Sequence, residues 1–226
     1  MTGAEWTAVL LSLKVAVVGA LSSLPFAVAV AYLLARGRFP GRMALDILVH
    51  LPLVLPPVVT GWLLLIAFGR HGPLGGFFER AFGLVFAFRW TGAALAAGIM
   101  GFPLMVRAIR LSLEAVDRRL EEAAATLGAG RARIFLTVTL PLALPGVGAG
   151  LILGFAKAIG EFGATITFVA NIPGETQTLA TAIYNTTQDP DGAGATWRLT
   201  AVAIAIAVAA LTLSELLARR LGGRGL

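Results

Sequence analysis

Cysteine is absent from this chain of 226 residues, and charged residues make up only 13% of it. Without cysteine the chain can form neither a disulfide framework nor a thiolate metal site. Its two histidines, His50 and His71, have no histidine partner at helical spacing, which excludes a zinc-protease motif. We therefore expect no metal site.

Nucleotide-binding and nucleophilic motifs are missing as well. No glycine-rich loop ends in Gly-Lys-Ser or Gly-Lys-Thr, so the chain lacks the usual cradle for nucleotide phosphates. Ser22 and Ser23 have no base in a suitable context, and hydroxyl groups in an apolar helix commonly bond to backbone carbonyls. We expect no enzyme activity and no cofactor, and we keep an intramembrane enzyme only as a distant alternative.

Apolar sequence is abundant. Hydrophobic residues make up 58% of the chain, against about 45–50% in soluble domains. Because about 20 apolar residues cross the hydrocarbon core as a helix, we predict an all-α polytopic membrane protein. It has about five transmembrane helices in a single domain, residues 1–226. The predicted spans are 10–35, 47–69, 90–109, 142–165 and 198–217.

The arginines predict how the chain is oriented. They adjoin apolar runs, so the net charge of +6 does not indicate a nucleic-acid partner. Three clusters follow spans one, three and five, which places them on one face, and the positive-inside rule makes that face cytoplasmic. We predict a multi-pass protein of the cytoplasmic (inner) membrane, with a retained amino terminus outside and the carboxyl terminus in the cytoplasm. The clusters are Arg36, Arg38 and Arg42; Arg107, Arg110, Arg118, Arg119, Arg131 and Arg133; and Arg219, Arg220 and Arg224.

A charged block, residues 115–141, lies between the third and fourth predicted spans. It contains Glu122-Ala123-Ala124, then Gly128, and after nine more residues Val138, followed by Leu140-Pro141. Alanine and glutamate favour a helix, and Gly128 would end that helix with a left-handed residue. A membrane protein that displays such a helix to water usually displays it to a partner. An ordinary connector is the alternative.

Two features inside the predicted spans attract attention. Pro56 and Pro57, with Pro52 before them, remove backbone donors from the second span, which predicts a kink or local unwinding. Either this is a structural kink or the segment lines a pathway. Lys157 and Glu161 are charged at membrane depth and four residues apart, so they form either a packing pair or part of that pathway.

The spacing of the charged block resembles the cytoplasmic loop of permease subunits of binding-protein-dependent ABC importers. The chain matches the family pattern except at Val138, where the family has isoleucine. This resemblance implies a type I ABC importer permease fold, in which coupling helices at about 115–139 dock into an ATP-binding subunit. The implied ATPase-coupling residues are Glu122, Ala123, Ala124, Gly128, Val138, Leu140 and Pro141.

A second stretch, Gly160 to Leu179, is similar to the corresponding part of molybdate permease subunits of this family, as are His50 to Thr60 and Phe102 to Arg110. The resemblance implies a permease that moves molybdate by alternating access. Its implied partners are two ATP-binding subunits, a second copy of the chain, a periplasmic molybdate-binding protein and membrane lipid. Sulfate or tungstate transport and a non-transporting scaffold stay open as alternatives.

The pathway of such a permease needs groups that contact a passing anion without trapping it, and small polar side chains suit that task. The pathway and gate candidates are Pro56, Pro57, Thr60, Lys157, Glu161, Thr165, Thr167 and Asn171.

Overall fold

The computed structural model describes residues 1–222, apart from the side chains of Ser214 and of residues 217–222. Arg224 and the carboxyl terminus lie outside these residues, and so do the side chains of Arg219 and Arg220 from the third predicted basic cluster. The described part of the chain is helical and contains no strand. The prediction of an all-α fold is confirmed.

Eleven α-helices make up the described chain. They are α1 (Gly3–Arg36), α2 (Arg42–Val54), α3 (Pro57–Phe68), α4 (Pro73–Phe82), α5 (Trp90–Ala115), α6 (Arg118–Thr126), α7 (Arg131–Ile134), α8 (Leu140–Ile159), α9 (Gly163–Val169), α10 (Leu179–Gln188) and α11 (Ala193–Gly222). A π-helical turn, Phe135–Thr139, joins α7 to α8.

Within residues 1–222, four helical segments are long and apolar enough to cross a membrane. The pair α2 and α3 supplies a fifth crossing if it is counted as one span, bent by 115°. This agrees with the predicted number of about five. The four segments are Gly3–Arg36, Trp90–Ala115, Arg131–Ile159 and Ala193–Leu213.

Helix α5 lies at the centre of the molecule, between α1 and α8. Small residues allow the three backbones to approach closely. A Cβ atom added to Gly19 of α1 would lie 2.6 Å from the carbonyl oxygen of Ala94 in α5, and one added to Gly101 of α5 would lie 2.9 Å from that of Gly154 in α8. Two apolar clusters, around Phe168 and around Ile109, fill the space along this seam.

The fourth span differs from its predicted range of 142–165. Helix α8 ends at Ile159, and α9 begins only at Gly163. The buried Glu161 carboxylate accepts a hydrogen bond from the backbone N–H of Ala164 at 3.0 Å, so it caps the new helix instead of continuing the old one. The chain is therefore broken at 160–162.

Polar contacts define the two ends of the molecule. At one end the Glu5 carboxylate pairs with Arg198 at 2.6 Å, which joins the start of α1 to α11. The short helix α10 packs nearby, because its first backbone N–H bonds to the hydroxyl of Ser12 in α1. At the other end α1 finishes at Arg36, which pairs with Glu121 of the charged block. The charged block and the Glu5–Arg198 pair thus lie at opposite ends of α1.

Candidate functional site

The charged block folds as two short helices joined by a tight turn. Asp117 caps α6 by accepting a hydrogen bond from the backbone N–H of Arg119 at 2.9 Å. After α6 the backbone of Gly128 takes a φ of 82°, the left-handed conformation that we predicted there. The backbone N–H of Ala129 bonds back to the carbonyl of Ala124 at 3.2 Å and closes the turn before α7.

One face of the block is exposed in the described structure. Glu122, Ala123 and Leu127 are exposed, and Leu127 is 89% exposed, although it is a large apolar residue. Ala124 is partly covered. A cleft of about 1200 Å³, lined in part by Glu122, lies between this block and the end of α1. The arrangement presents a slim, mixed polar and apolar surface of the kind that a protein partner covers.

The block is fastened to the spans by a three-residue contact, the Glu121 latch. Arg36 of α1 donates to Glu121 at 3.2 Å through Nε and to the carbonyl oxygen of Val116 at 3.0 Å through Nη2. The hydroxyl of Thr139, itself buried, donates to the same carboxylate oxygen at 2.8 Å. Glu121 therefore links α6 with α1 and with the turn that leads into α8.

The second half of the block runs into α8 without interruption. Pro141 lies in the first turn of α8. Because proline has no N–H and its ring clashes with the carbonyl four residues earlier, the turn before it cannot be an ordinary α-helical turn. The wider π-helical turn contains Val138, and Leu140 bonds back to Phe135 through its backbone N–H. Helix α7, the π-helical turn and α8 therefore form one continuous helical segment, Arg131–Ile159.

Two helix breaks lie side by side in the structure. The first separates α2 from α3 at Leu55 and Pro56, and the second separates α8 from α9 at 160–162. A Cβ atom added to Gly163 would lie 2.8 Å from Cβ of Pro57, so the starts of α3 and α9 touch. We call this region the paired breaks.

The ion pair predicted from sequence forms within the paired breaks. The ammonium of Lys157 lies 2.8 Å from Glu161, whose side chain is only 1% exposed, while that of Lys157 is 30% exposed. Since the other carboxylate oxygen caps α9, Glu161 bonds to both helices that flank the second break. An unpaired carboxylate at this depth would be costly, so the pair stabilises the break.

The four small polar candidates have different surroundings. Thr60 is buried, and its hydroxyl has no hydrogen-bond partner among the described residues; the same holds for Oδ1 of Asn171. Thr165 is buried in α9, while Thr167 donates to the carbonyl of Gly163 at 2.9 Å. Unpartnered buried polar atoms are uncommon, so Thr60 and Asn171 are the candidates best suited to meet water or a passing ligand.

Several polar contacts escaped the sequence interpretation. The Glu121 latch joins residues 85 positions apart, and the Glu5–Arg198 pair joins residues 193 positions apart. Lys14 stacks over the ring of Trp90, with its Nζ 3.6 Å from the ring centroid. A signal was available for Lys14, because a lysine interrupts the apolar run of the first span.

Long apolar helices, the paired breaks and an exposed charged block are the main features of the described part of the chain. Residues 23–223 match the family of binding-protein-dependent transport system inner membrane components, and the chain belongs to that family. The described helices thus form the membrane part of a transport system.

Curated relatives share most of their length with this chain. The molybdenum transport system permease protein ModB of Escherichia coli K12 is 58% identical over 219 residues, which cover 97% of this chain and 96% of the relative. The protein of the same description from Haemophilus influenzae is 55% identical over 217 residues, covering 96% and 95%. A probable sulfate transport system permease protein, cysT of Chlorokybus atmophyticus, is 36% identical over 76% of this chain and 59% of its own length.

Solved structures share the fold at low sequence identity. A bacterial ABC transporter involved in the import of alginate superposes with a TM-score of 0.71 at 16% identity, covering all of this chain and 82% of that one. The inward-facing MetNI methionine ABC transporter superposes with a TM-score of 0.70 at 14% identity, covering 98% and 99%. The chain has the type I ABC importer permease fold.

Proposed function

We propose that this chain is the permease subunit of an ABC importer that moves molybdate across the cytoplasmic membrane. The observation that carries the proposal is the 58% identity, over 97% of the chain, to a molybdenum transport system permease. The absence of a nucleotide-binding motif supports a division of labour in which partner subunits hydrolyse ATP. The chain itself is then no enzyme.

The proposed assembly contains two copies of this chain, two ATP-binding subunits and a periplasmic molybdate-binding protein. The exposed face of the charged block, with Glu122 and Leu127, docks into a cleft of an ATP-binding subunit. Closure of those subunits on ATP displaces the block, and the continuous segment Arg131–Ile159 carries the displacement to the paired breaks. The breaks supply hinges, because regular α-helical structure is interrupted at both of them.

The proposed orientation places the charged block in the cytoplasm and the amino terminus outside. Support comes from the arginines around the block and at the end of α1, which lie together at one end of the molecule and fit the positive-inside rule. The Glu5–Arg198 pair and α10 then face the periplasm.

Two other substrates and one other role compete with molybdate. Sulfate is favoured by the relative that is 36% identical and described as a probable sulfate permease, and tungstate has the same charge and tetrahedral shape as molybdate. A non-transporting scaffold has no specific support beyond membrane insertion.

ATP hydrolysis by the reconstituted complex tests the proposal. The complex contains this chain and its ATP-binding subunit. We expect its ATP hydrolysis to be stimulated more by the molybdate-loaded binding protein than by the sulfate-loaded binding protein. Stronger stimulation with sulfate would transfer the assignment to sulfate. Hydrolysis that no loaded binding protein stimulates would contradict transport and favour a scaffold.

A further inference from the structure

A cavity of about 590 Å³ lies at the end of the molecule opposite the charged block. Three cationic side chains line it: Lys14 from α1, Arg70 from just after α3, and Arg89 from just before α5. Glu175 is the one carboxylate among the lining residues. Its size lies within the roughly 300–1,000 Å³ that small-molecule sites usually have.

The three cations are available to a ligand. Among the described side chains, none of the three forms an ion pair, and the ammonium of Lys14 lies over the face of Trp90. Three cations and one carboxylate leave a formal charge of +2 in the cavity. That charge is complementary to a doubly negative oxyanion.

The walls of the cavity are held in unusual backbone conformations. Within residues 1–222, only Phe88 and Ala170 have a positive φ without being glycine. Phe88, at 58°, lines the cavity next to Arg89, and Ala170, at 64°, precedes the lining residue Ile172 by two positions. Such strain is typical of functional sites, where the surrounding structure holds the chain in a fixed shape.

The opposite wall is a closed turn. The carbonyl of Ile172 accepts hydrogen bonds from the backbone N–H groups of Glu175, Thr176 and Gln177, at 2.9 to 3.1 Å. The buried hydroxyl of Thr176 in turn accepts from the N–H of Ile172 at 2.9 Å. The backbone of this turn is thus held by its own hydrogen bonds without a ligand, which lowers the entropic cost of ordering it on binding.

The cavity also lies at the ends of the two helices that start at the paired breaks. Arg70 follows α3, and Ile172, Gly174 and Glu175 follow α9. Lys14 lies nine residues beyond Glu5 along α1, so it is roughly 13 Å farther along the helix than the Glu5–Arg198 pair at 1.5 Å per residue. An anion held there would lie at the ends of the two helices that begin at the paired breaks.

We infer that this cavity is an oxyanion-accepting site, which receives the divalent tetrahedral anion from the binding protein before it passes the paired breaks. The inference rests on the proposed function and adds a low-affinity site within the permease itself. Lys14 and Arg89 attract the anion, while Glu175 weakens its hold and so assists its onward release.

Single charge-removing variants of the complete complex test the site. We expect Lys14→Gln and Arg89→Gln to raise, by about fivefold to tenfold, the concentration of free molybdate that half-saturates binding to the complex in nanodiscs without binding protein. Arg80→Gln removes an exposed cation of α4 that does not line this cavity, and it should leave binding unchanged. Glu175→Gln should tighten binding.

The outcomes separate this inference from its rivals. Unchanged binding in Lys14→Gln and Arg89→Gln, with normal transport by the unaltered complex, would overturn the site and leave the proposed function intact. An unaltered complex that transports no molybdate would overturn both. If Arg70→Gln lowered thermal stability but left anion binding unchanged, this arginine would serve only to offset the partial negative charge at the C-terminal end of α3. That result would count against the site.

The lipid composition of the nanodiscs distinguishes a free oxyanion from a phosphate headgroup. We expect molybdate binding to be equal in zwitterionic and in anionic bilayers. Binding that disappears in anionic bilayers, together with co-purified anionic lipid that Lys14→Gln releases, would identify a lipid site and overturn the inference. If the variants lost association with the binding protein but bound free molybdate normally, the cavity would be a docking contact for the binding protein. That result would also overturn the inference.

Discussion

At Gly61 the backbone of α3 touches the backbone of α9. A Cβ atom added there would lie 2.5 Å from the carbonyl oxygen of Ala164 and 2.9 Å from Cβ of Thr167. Because backbone atoms cannot yield as a flexible side chain does, any residue larger than glycine must push the two helices apart. The close contact between α3 and α9 therefore requires glycine at position 61.

We predict that Gly61→Ala destabilises the protein by about 1–3 kcal/mol, the usual cost of overpacking, and slows transport. Gly148→Ala is the matched control, because a Cβ atom at Gly148 of α8 meets nothing within 4 Å and alanine favours a helix. Thermal unfolding and uptake rates of the two variants make the comparison. Equal behaviour of both would contradict the close approach of α3 and α9.

Residue patterns predicted some of these features and missed others. The positive φ of Gly128 followed from its place after a helical run. The position of Glu161 beyond the end of a helix did not, because Gly160 to Gly163 contains no proline and the apolar run continues around it. The structure shows that α8 ends at Ile159 and that Glu161 bonds to the start of the next helix.

At the scale of elements, the Glu121 latch connects the charged block to two spans. Glu121 is 20% exposed and Arg36 only 11%, so their ion pair is shielded from water more than a surface pair is. Thr139 bonds to the same carboxylate oxygen. Without the latch, α6 would be joined to the spans mainly through the turns at its two ends.

We predict that Glu121→Gln lowers the number of molybdate ions imported per ATP hydrolysed by a factor of a few, with a stability loss of about 1–3 kcal/mol. Combining Arg36→Glu with Glu121→Arg should restore part of this ratio, since the pair is re-formed with its charges exchanged. Simultaneous assays of uptake and hydrolysis give the ratio.

Glu114→Gln serves as the control for the latch. Glu114 lies near the same end of the molecule, and its pair with Arg110 is more exposed and does not touch the charged block. A similar loss of coupling in Glu114→Gln and Glu121→Gln would assign the effect to general surface charge and contradict the latch.

Element boundaries were predictable where the sequence carries its own signals. Pro56 and Pro57 predicted the first break, and the structure bends the span by 115° there. Gly128 and Pro141 likewise marked the turn and the exit of the charged block. The Glu121 latch was not predictable, since it depends on how α1 packs against α5 and not on any local pattern.

The whole molecule has a chemical difference between its ends. One end carries the charged block with its free face, and the other carries the Glu5–Arg198 pair and a cationic cavity. Arginine placement predicted that the charged block lies at one end of the molecule, but it predicted neither the Glu5–Arg198 pair nor the cationic cavity at the other end. Hydropathy and arginine placement could not predict that both breaks meet, because that contact joins α3 to α9, which are about 100 residues apart in the chain.

Molybdate uptake into sealed proteoliposomes tests the central claim most directly. The vesicles hold the complex of this chain with its ATP-binding subunit, with ATP enclosed on the side of the charged block and molybdate-loaded binding protein outside. The account predicts accumulation that needs both ATP and the binding protein and that exceeds the accumulation of sulfate. Uptake independent of ATP, or no uptake above that of protein-free vesicles, would contradict it.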